Sequence, residues 1–335
     1  AESAYRDELL GYVTEMESEL SRVERELRTR NPRFAAVRYP EPTTVEELQR
    51  SVLRDGDVLL QYAVGDSISS LWVVTPSDLA LYRLPPGPTI QGQVDLLRSA
   101  LGSPRGSSAG EYAALSHRLY RAVLAPAAAE LEEARRLIVV PDGALHYIPF
   151  EALVQDLPGP SASFEDLSYL VRRAPVSYVQ SASVLRELES ASTVETTHGL
   201  LAVGDPALDA PDEVAAVRGI ELARLPNALR EVQAVEALIG PSQTRVLTGE
   251  QATETAVQTA LADRSYRFVH FATHGVINDR RPDHSGLALA AESGDGLLTA
   301  FEIFNLRVSA DLVVLSACST GLGQLVRGEG MVGLT

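Results

Sequence analysis

Short runs of apolar, strand-forming residues alternate with helical segments in the second half of the chain. The predicted strands lie at 199–203, 267–272, 287–290 and 311–316, and the predicted helices at 227–239, 253–261 and 300–305. Strands and helices that alternate in this way are typical of a parallel sheet with helices on both faces. The pattern therefore predicts an α/β fold for this half.

The first half of the chain has a different order of elements. Residues 1–30 carry an apolar side chain every three or four positions, which predicts an amphipathic helix. This helix either packs on the domain or is the last helix of an array of helical repeats. Beyond it, turn residues separate three β segments at 58–64, 70–75 and 79–84, which predicts an antiparallel meander.

Local signals complete the outline of this half. Thr43, with a glutamate three residues later, predicts a capping box at the start of a short helix. The remaining elements are predicted as helices at 43–53, 91–101 and 111–133 and as a buried strand at 137–140. The polar segment 189–198 predicts a linker. We therefore expect an N-terminal helix at 1–39, one α/β half at 40–190 and a second at 199–335.

Composition argues against several classes of partner. The 335 residues carry a formal net charge of −16 without a basic stripe, so a phosphate backbone is a poor electrostatic partner. No apolar run approaches the roughly 20 residues of a membrane span. A single cysteine rules out an internal disulfide and fits a reducing compartment. We expect a cytoplasmic protein that contacts neither nucleic acid nor membrane through this region.

Two of the predicted strands end in residues that can carry chemistry. The sequence YRFVHFATHG ends in His274 and Gly275, and DLVVLSAC ends in Cys318. Because ligands bind outside the carboxyl ends of strands in an open parallel sheet, we expect His274 and Cys318 at one edge. Their separation, 318 − 274 = 44 residues, is long enough for a crossover between neighbouring strands.

A histidine beside a cysteine suits nucleophilic catalysis. The thiolate is the nucleophile, and a nearby imidazole takes the thiol proton or pairs with the thiolate. The same imidazole can then protonate a leaving amine. The backbone N–H groups of Gly275 and Cys318 are candidate donors to an oxyanion. The alternative is that Cys318 is a buried thiol and that His274 and Gly275 form only a turn.

Other candidates have weaker patterns. Ser316 ends the same strand as Cys318 and remains an alternative nucleophile. Asp142 and His146 follow the strand at 137–140, where we expect a structural role. His270 lies within a strand, so we expect a packed, hydrogen-bonded imidazole. No convergent set of metal ligands is evident, and GLGQLV lacks the third glycine of a dinucleotide loop, so we expect no cofactor.

Longer motifs carry a resemblance to a known family. The stretches HFATHG, SGLAL, DGLLTAFEIFNL, ADLVVLSACSTGLG and GEGMVGL follow one another in the family's order. With looser matches upstream they cover residues 40–335 and resemble the bacterial CHAT domain, a member of the caspase, separase and gingipain group of cysteine peptidases. The resemblance implies caspase-like three-layer αβα sheets, with an inactive N-terminal half and a catalytic C-terminal half.

The resemblance also implies roles for particular residues. His274 and Cys318 correspond to the catalytic dyad, and Gly275 contributes to the oxyanion hole. In caspase-like folds a charged residue after the first catalytic strand often reads the P1 side chain, and Asp205 stands there; a plain turn, with the aspartate capping its own backbone, is the alternative. Because the family's domain continues beyond GEGMVGL, we expect the catalytic half to be incomplete at its C-terminus.

The expected function is a cysteine endopeptidase that cleaves a specific protein in regulated bacterial defence or cell death. The resemblance implies a protein substrate encoded nearby, such as a gasdermin-like pore-forming protein, and a regulatory region of helical repeats. The alternative from a different class is a catalytically silent CHAT scaffold that acts as a protein-interaction module.

Overall fold

The computed structural model describes most of the chain. The described residues are 2–30, 40–102, 108–159, 161–190, 198–208, 222, 224–278, 281, 284–291, 295–303, 305–306, 308–317, 324–326 and 330–332. The chain divides into two compact units, Ala1–Ala191 and Ser192–Thr335. Cys318 lies outside the described residues.

The first unit is built on a mixed five-stranded sheet. Its strands are β1 (Asp57–Ala63), β2 (Ser69–Val74), β3 (Leu79–Leu84), β4 (Arg136–Val140) and β5 (Val176–Tyr178). The strand order is β3-β2-β1-β4-β5. The pairs β3–β2 and β2–β1 are antiparallel, which confirms the predicted meander, whereas β4 runs parallel to β1 and to β5.

Six helices of this unit are described. They are α1 (Glu2–Arg30), α2 (Val45–Glu47, followed by a π-helical turn Leu48–Val52), α3 (Gly87–Leu101), α4 (Ala109–Val123), α5 (Ala128–Glu132) and α6 (Ala182–Ser190). The prediction of one helix over 111–133 was wrong, because a 3₁₀ turn that contains Pro126 separates α4 from α5. The capping box forms one residue later than predicted, between Thr44 and Glu47.

The apolar side chains of β1 alternate between two cores, one on each face of the sheet. Leu60 and Tyr62 pack with residues of α3 and α4, and Leu59 packs with residues of α2 and α6. Because successive side chains of a strand point to opposite faces, the sheet is the middle layer of three.

The second unit is built on a parallel four-stranded sheet. Its described elements are β6 (His198–Pro206), α7 (Pro226–Ile239), β7 (Thr244–Gly249), α8 (Glu254–Asp263), β8 (Tyr266–Ala272), β9 (Gly275–Val276), β10 (Gly286–Ala288), β11 (Leu297–Thr299), α9 (Ala300–Ile303), β12 (Leu312–Ser316), β13 (Gln324–Val326) and β14 (Gly330–Val332). The main sheet has the order β12-β8-β6-β7 with all pairs parallel. Strands β9, β10 and β11 form a small antiparallel sheet, and β13 pairs with β14.

Helices cover both faces of this parallel sheet. Val232 of α7 packs on Ala202 and Ala272 on one face. Val257 of α8 packs with Val203 on the other face. Both units are therefore mixed α/β structures with sheets flanked by helices, which confirms the predicted fold class and fits a caspase-like α/β fold.

Candidate active site

The carboxyl ends of β8 and β12 lie side by side at one edge of the parallel sheet. The register pairs Phe268 with Leu312 and Ala272 with Ser316, so paired residues of the two strands differ by 44 positions. His274 follows Ala272 by two residues. The predicted spacing of the histidine and the cysteine therefore equals the register offset of the strands that carry them.

The backbone of His274 is fixed by hydrogen bonds to strand β10. The hydroxyl of Thr273, a residue that is 1% exposed, donates to the carbonyl of Ala288 at 2.5 Å. The N–H of Ala288 donates in return to the carbonyl of His274 at 2.9 Å. These two bonds fix the chain on both sides of the peptide that joins Thr273 to His274. His274 itself is half-buried and lies two residues beyond the end of β8.

Gly275 is the first residue of β9 and pairs with Leu287 of β10. The bond from Ala288 N–H to the His274 carbonyl makes this a non-hydrogen-bonded pair of the antiparallel ladder. In such a pair the N–H groups point away from the partner strand. The Gly275 N–H is consequently directed away from β10, which an oxyanion donor requires.

The predicted nucleophile cannot be placed in the same way. Cys318 lies outside the described residues, as stated above, and the last described residue before it is Ala317. The alternative nucleophile, Ser316, is half-buried at the end of β12, beside Ala272. The assignment of the nucleophile stays a prediction.

Asp205 lies at the same edge of the sheet, at the end of β6. The neighbouring Gly204 pairs with Ala272 of β8, and the register between β6 and β7 shifts at this point, as in a β-bulge. Asp205 has φ = 44°, in the left-handed region that aspartate tolerates better than most residues. A bulge of this kind redirects a side chain at the end of a strand.

The carboxylate of Asp205 is bound by residues that precede α7. Arg224 donates to both oxygens in a bidentate ion pair, at 2.9 Å from Nε and 2.6 Å from Nη2. The N–H of Leu225 donates a third bond at 2.8 Å. The bonds from Arg224 lower the pKa of Asp205 although burial opposes the shift. The aspartate thus binds Arg224 and the N-cap residue of α7 rather than its own turn.

The packing predicted for His270 is confirmed, whereas the predicted hydrogen bond is not formed by its Nε2. It is 7% exposed on the face of β8 that is covered by α7, and its Nε2 lies 3.0 Å from a carboxylate oxygen of Glu231. The angles of this contact do not meet those of a hydrogen bond, so the interaction is a close approach of the two groups rather than an aligned bond.

Asp142 and His146 lie just after strand β4 of the first unit, where Asp142 binds the backbone. A carboxylate oxygen of Asp142 accepts a 2.6 Å hydrogen bond from the N–H of Val64, which joins the end of β4 to the end of β1. Burial lowers the pKa of His146, and Asp142 only partly opposes this. The hydrogen bond supports the structural role that the sequence predicts for Asp142.

The described residues form neither a cluster of metal ligands nor a helix that could span a membrane. Within these ranges, no group of three or more histidine, cysteine, aspartate or glutamate side chains is arranged to hold a metal ion. The helices of the described part of the chain include none with the length and apolar character of a membrane span.

Comparison with known proteins identifies the family. No curated protein matches the chain. The family model described as CHAT domain matches residues 113–335, which is 223 of the 335 residues. The matched range includes the whole parallel sheet and both strand ends described above. Together with the mixed α/β architecture of both units, this match means that the chain belongs to the CHAT domain family, which is related to the caspase-like cysteine peptidases.

Proposed function

We propose that the protein is a cysteine endopeptidase in which Cys318 and His274 form the catalytic dyad. The observation that carries the proposal is the register of β8 and β12, whose 44-residue offset equals the separation of the two residues. If the chain beyond β12 continues in register, Cys318 lies opposite His274 at the carboxyl edge of the sheet. Such an edge is where open parallel sheets bind ligands.

The proposed reaction begins with attack of the Cys318 sulfur on the scissile carbonyl. His274 takes the thiol proton, and the N–H groups of Gly275 and Cys318 stabilise the oxyanion of the tetrahedral intermediate. The C–N bond then breaks, and His274 gives its proton to the leaving amine, which produces a thioester. Water, deprotonated by His274, attacks this thioester and releases the carboxylic acid and the free thiol.

The hydrogen bonds of Thr273 and His274 to Ala288 support this role for the imidazole. A catalytic base must keep its position within a fraction of an ångström, and buried bonds on a rigid strand provide such a position. The outward direction of the Gly275 N–H supports its role as an oxyanion donor.

Asp205 is proposed as the residue that reads a basic P1 side chain. The two oxygens of a buried carboxylate can accept two parallel hydrogen bonds from one guanidinium, and Arg224 binds Asp205 through two such bonds. A basic P1 residue must therefore displace Arg224. Comparison of P1 preferences between the wild type and Asp205→Asn on a peptide library tests this assignment, and an unchanged preference would contradict it.

The biological setting is part of the proposal. We propose a cytoplasmic enzyme of bacterial defence or regulated cell death, whose substrate is a protein encoded nearby, such as a gasdermin-like pore-forming protein, and whose activity is controlled by helical repeats. The support is the family and the intact histidine and cysteine motifs.

The test is cleavage of co-expressed neighbouring gene products, followed by mapping of new N-termini. We expect cleavage by the wild type and none by Cys318→Ala or by His274→Ala. The variant His198→Gln is the control, because His198 begins β6 at the opposite edge of the sheet. Equal cleavage by wild type and Cys318→Ala would exclude the mechanism, and absence of cleavage by the wild type itself, with partner proteins still bound, would favour the scaffold.

A further inference from the structure

Helix α1 carries an apolar stripe with a period of 11 residues. Each of the first four members of the stripe has an apolar counterpart 11 positions later. The members are Tyr5, Leu9, Tyr12, Met16, Leu20, Val23 and Leu27. Eleven residues in three turns give about 3.67 residues per turn, close to the period of a straight helix, and a repeat of this length is typical of a coiled coil with a slight right-handed twist.

The stripe is exposed along the helix. The five members whose side chains are described range from 44% exposed at Val23 to 58% at Tyr12. Single exposed apolar residues are ordinary, but a continuous stripe of this length marks an interaction surface. From Tyr5 to Leu27 it extends about 33 Å at 1.5 Å per residue.

The spacing of the stripe is the same when it is read from either end. The intervals between successive members are 4, 3, 4, 4, 3 and 4 residues, centred on Met16. A second copy of the helix that runs in the opposite direction therefore places a stripe member opposite every stripe member. In this arrangement Met16 faces Met16 of the copy, and Leu9 faces Val23.

The charges of α1 also favour an antiparallel copy. Residues 2–12 contain three acidic residues and one arginine, for a net charge of −2, and residues 20–30, which lie opposite them in an antiparallel pair about Met16, contain four arginines and two glutamates, for +2. The three glutamates of residues 13–19 lie beside the same segment of the copy in either direction, so they do not distinguish the two arrangements. Antiparallel association brings the acidic part of one helix beside the basic part of the other, whereas parallel association brings like parts together.

We propose that α1 binds α1 of a second copy of this chain as an antiparallel coiled coil about Met16. Four features of α1 fit a second copy of the helix as its partner. They are the length, the exposure and the symmetric spacing of the apolar stripe, and the opposite charges of the two ends of the helix. The proposal is independent of the peptidase activity, since it uses no residue of the candidate active site.

The first test is the molar mass of the full chain by light scattering at concentrations from about 1 to about 100 μM. We expect a dimer for the wild type and for Ser18→Asp, whose substitution lies on the opposite side of the helix. Met16→Asp places two carboxylates at the centre of the interface and is expected to weaken association at least tenfold, with the circular dichroism of the fold retained. A wild type that is monomeric throughout, or a Met16→Asp dimer of unchanged stability, would overturn the proposal.

The second test is the direction of the two helices. In a Cys318→Ala background, Leu9→Cys and Val23→Cys are oxidised separately and as a mixture. The antiparallel arrangement predicts a disulfide only in the mixture, because Leu9 of one helix lies about 21 Å along the axis from Leu9 of the other. Efficient crosslinking of either variant with itself would overturn the antiparallel arrangement.

Discussion

The ion pair between Asp205 and Arg224 allows the most specific prediction about stability. The side chain of Asp205 is 4% exposed, whereas the side chain of Arg224 is 47% exposed. Replacement of Arg224 by alanine leaves a buried carboxylate with one described donor, the N–H of Leu225. Because the charge of Asp205 then lacks its partner in a place that water scarcely reaches, we expect the second unit to lose stability.

The magnitude follows from the two bonds that are lost. A charge-assisted hydrogen bond contributes about 1.5–3 kcal/mol, and loss of one partner of a fully buried pair costs about 3–5 kcal/mol. Solvent around Arg224 reduces these values, so we expect Arg224→Ala to lower the free energy of unfolding by about 2–3 kcal/mol. For a unit of this size the loss corresponds to a decrease in Tm of roughly 5–10 °C.

The assay is denaturant unfolding at neutral pH, with Arg230→Ala as the matched control. Arg230 is an exposed arginine of α7, and its contact with Asn227 is 3.3 Å long. Its removal is expected to change the free energy of unfolding by less than about 0.5 kcal/mol. A double-mutant cycle of Arg224→Ala with Asp205→Asn is expected to give a coupling energy of about 1–2 kcal/mol.

An Arg224→Ala protein as stable as the control would refute the reasoning. It would mean that the pair contributes nothing to the folded state and that Asp205 exchanges its partner at little cost. That result would in turn favour the assignment of Asp205 to a basic P1 residue, because substrate would displace Arg224 easily.

Three further predictions follow from the same part of the molecule. Thr273→Val removes the hydrogen bond to Ala288 and is expected to reduce the cleavage rate about tenfold with little loss of secondary structure, as measured by kinetics and circular dichroism; an unchanged rate would contradict the positioning role. Gly286→Ala brings a new Cβ to 2.7 Å from the carbonyl of Leu298 and is expected to lower Tm by several degrees, measured by calorimetry; an unaltered Tm would show that the small sheet tolerates the shift. Because the pKa of Asp205 is lowered in the folded state, its contribution to stability is complete above the pKa of an unfolded aspartate, about 4, and is lost as pH falls through the folded value. Unfolding measured between neutral pH and pH 3 should therefore show an acid-dependent loss that Asp205→Asn reduces, and equal losses in both proteins would contradict this.

The sequence predicted the elements that depend on strong local patterns. The period-2 and period-3.6 patterns located β8, β12, α7 and α8 within a few residues, and the strand ends indicated where His274 would lie. Strand β10 was predicted at 287–290, close to its observed range, whereas β9 and β11 were missed because two and three residues are too few for a periodic signal. These short strands hold the backbone of His274, so sequence alone could not supply the reason for its position.

Long-range pairing was also hidden in the sequence. Arg224 binds Asp205 across 19 residues, and no local pattern marks it as a partner. The register of β8 and β12 likewise depends on the packing of helices on the sheet. Its offset of 44 residues equals the sequence separation of His274 and Cys318. The break between α4 and α5, by contrast, could have been predicted from Pro126, because proline lacks an N–H and interrupts a helix. The apolar periodicity of 111–133 alone predicts one continuous helix.

The most direct test of the central claim is the rate at which the thiol of Cys318 is alkylated at pH 7. The chain contains one cysteine, so iodoacetamide labelling followed by mass spectrometry reports on this residue alone. If His274 takes the thiol proton, the wild type and the His198→Gln control react at least tenfold faster than His274→Gln, because the thiolate is the reactive form. Equal labelling rates in all three folded proteins would contradict the dyad.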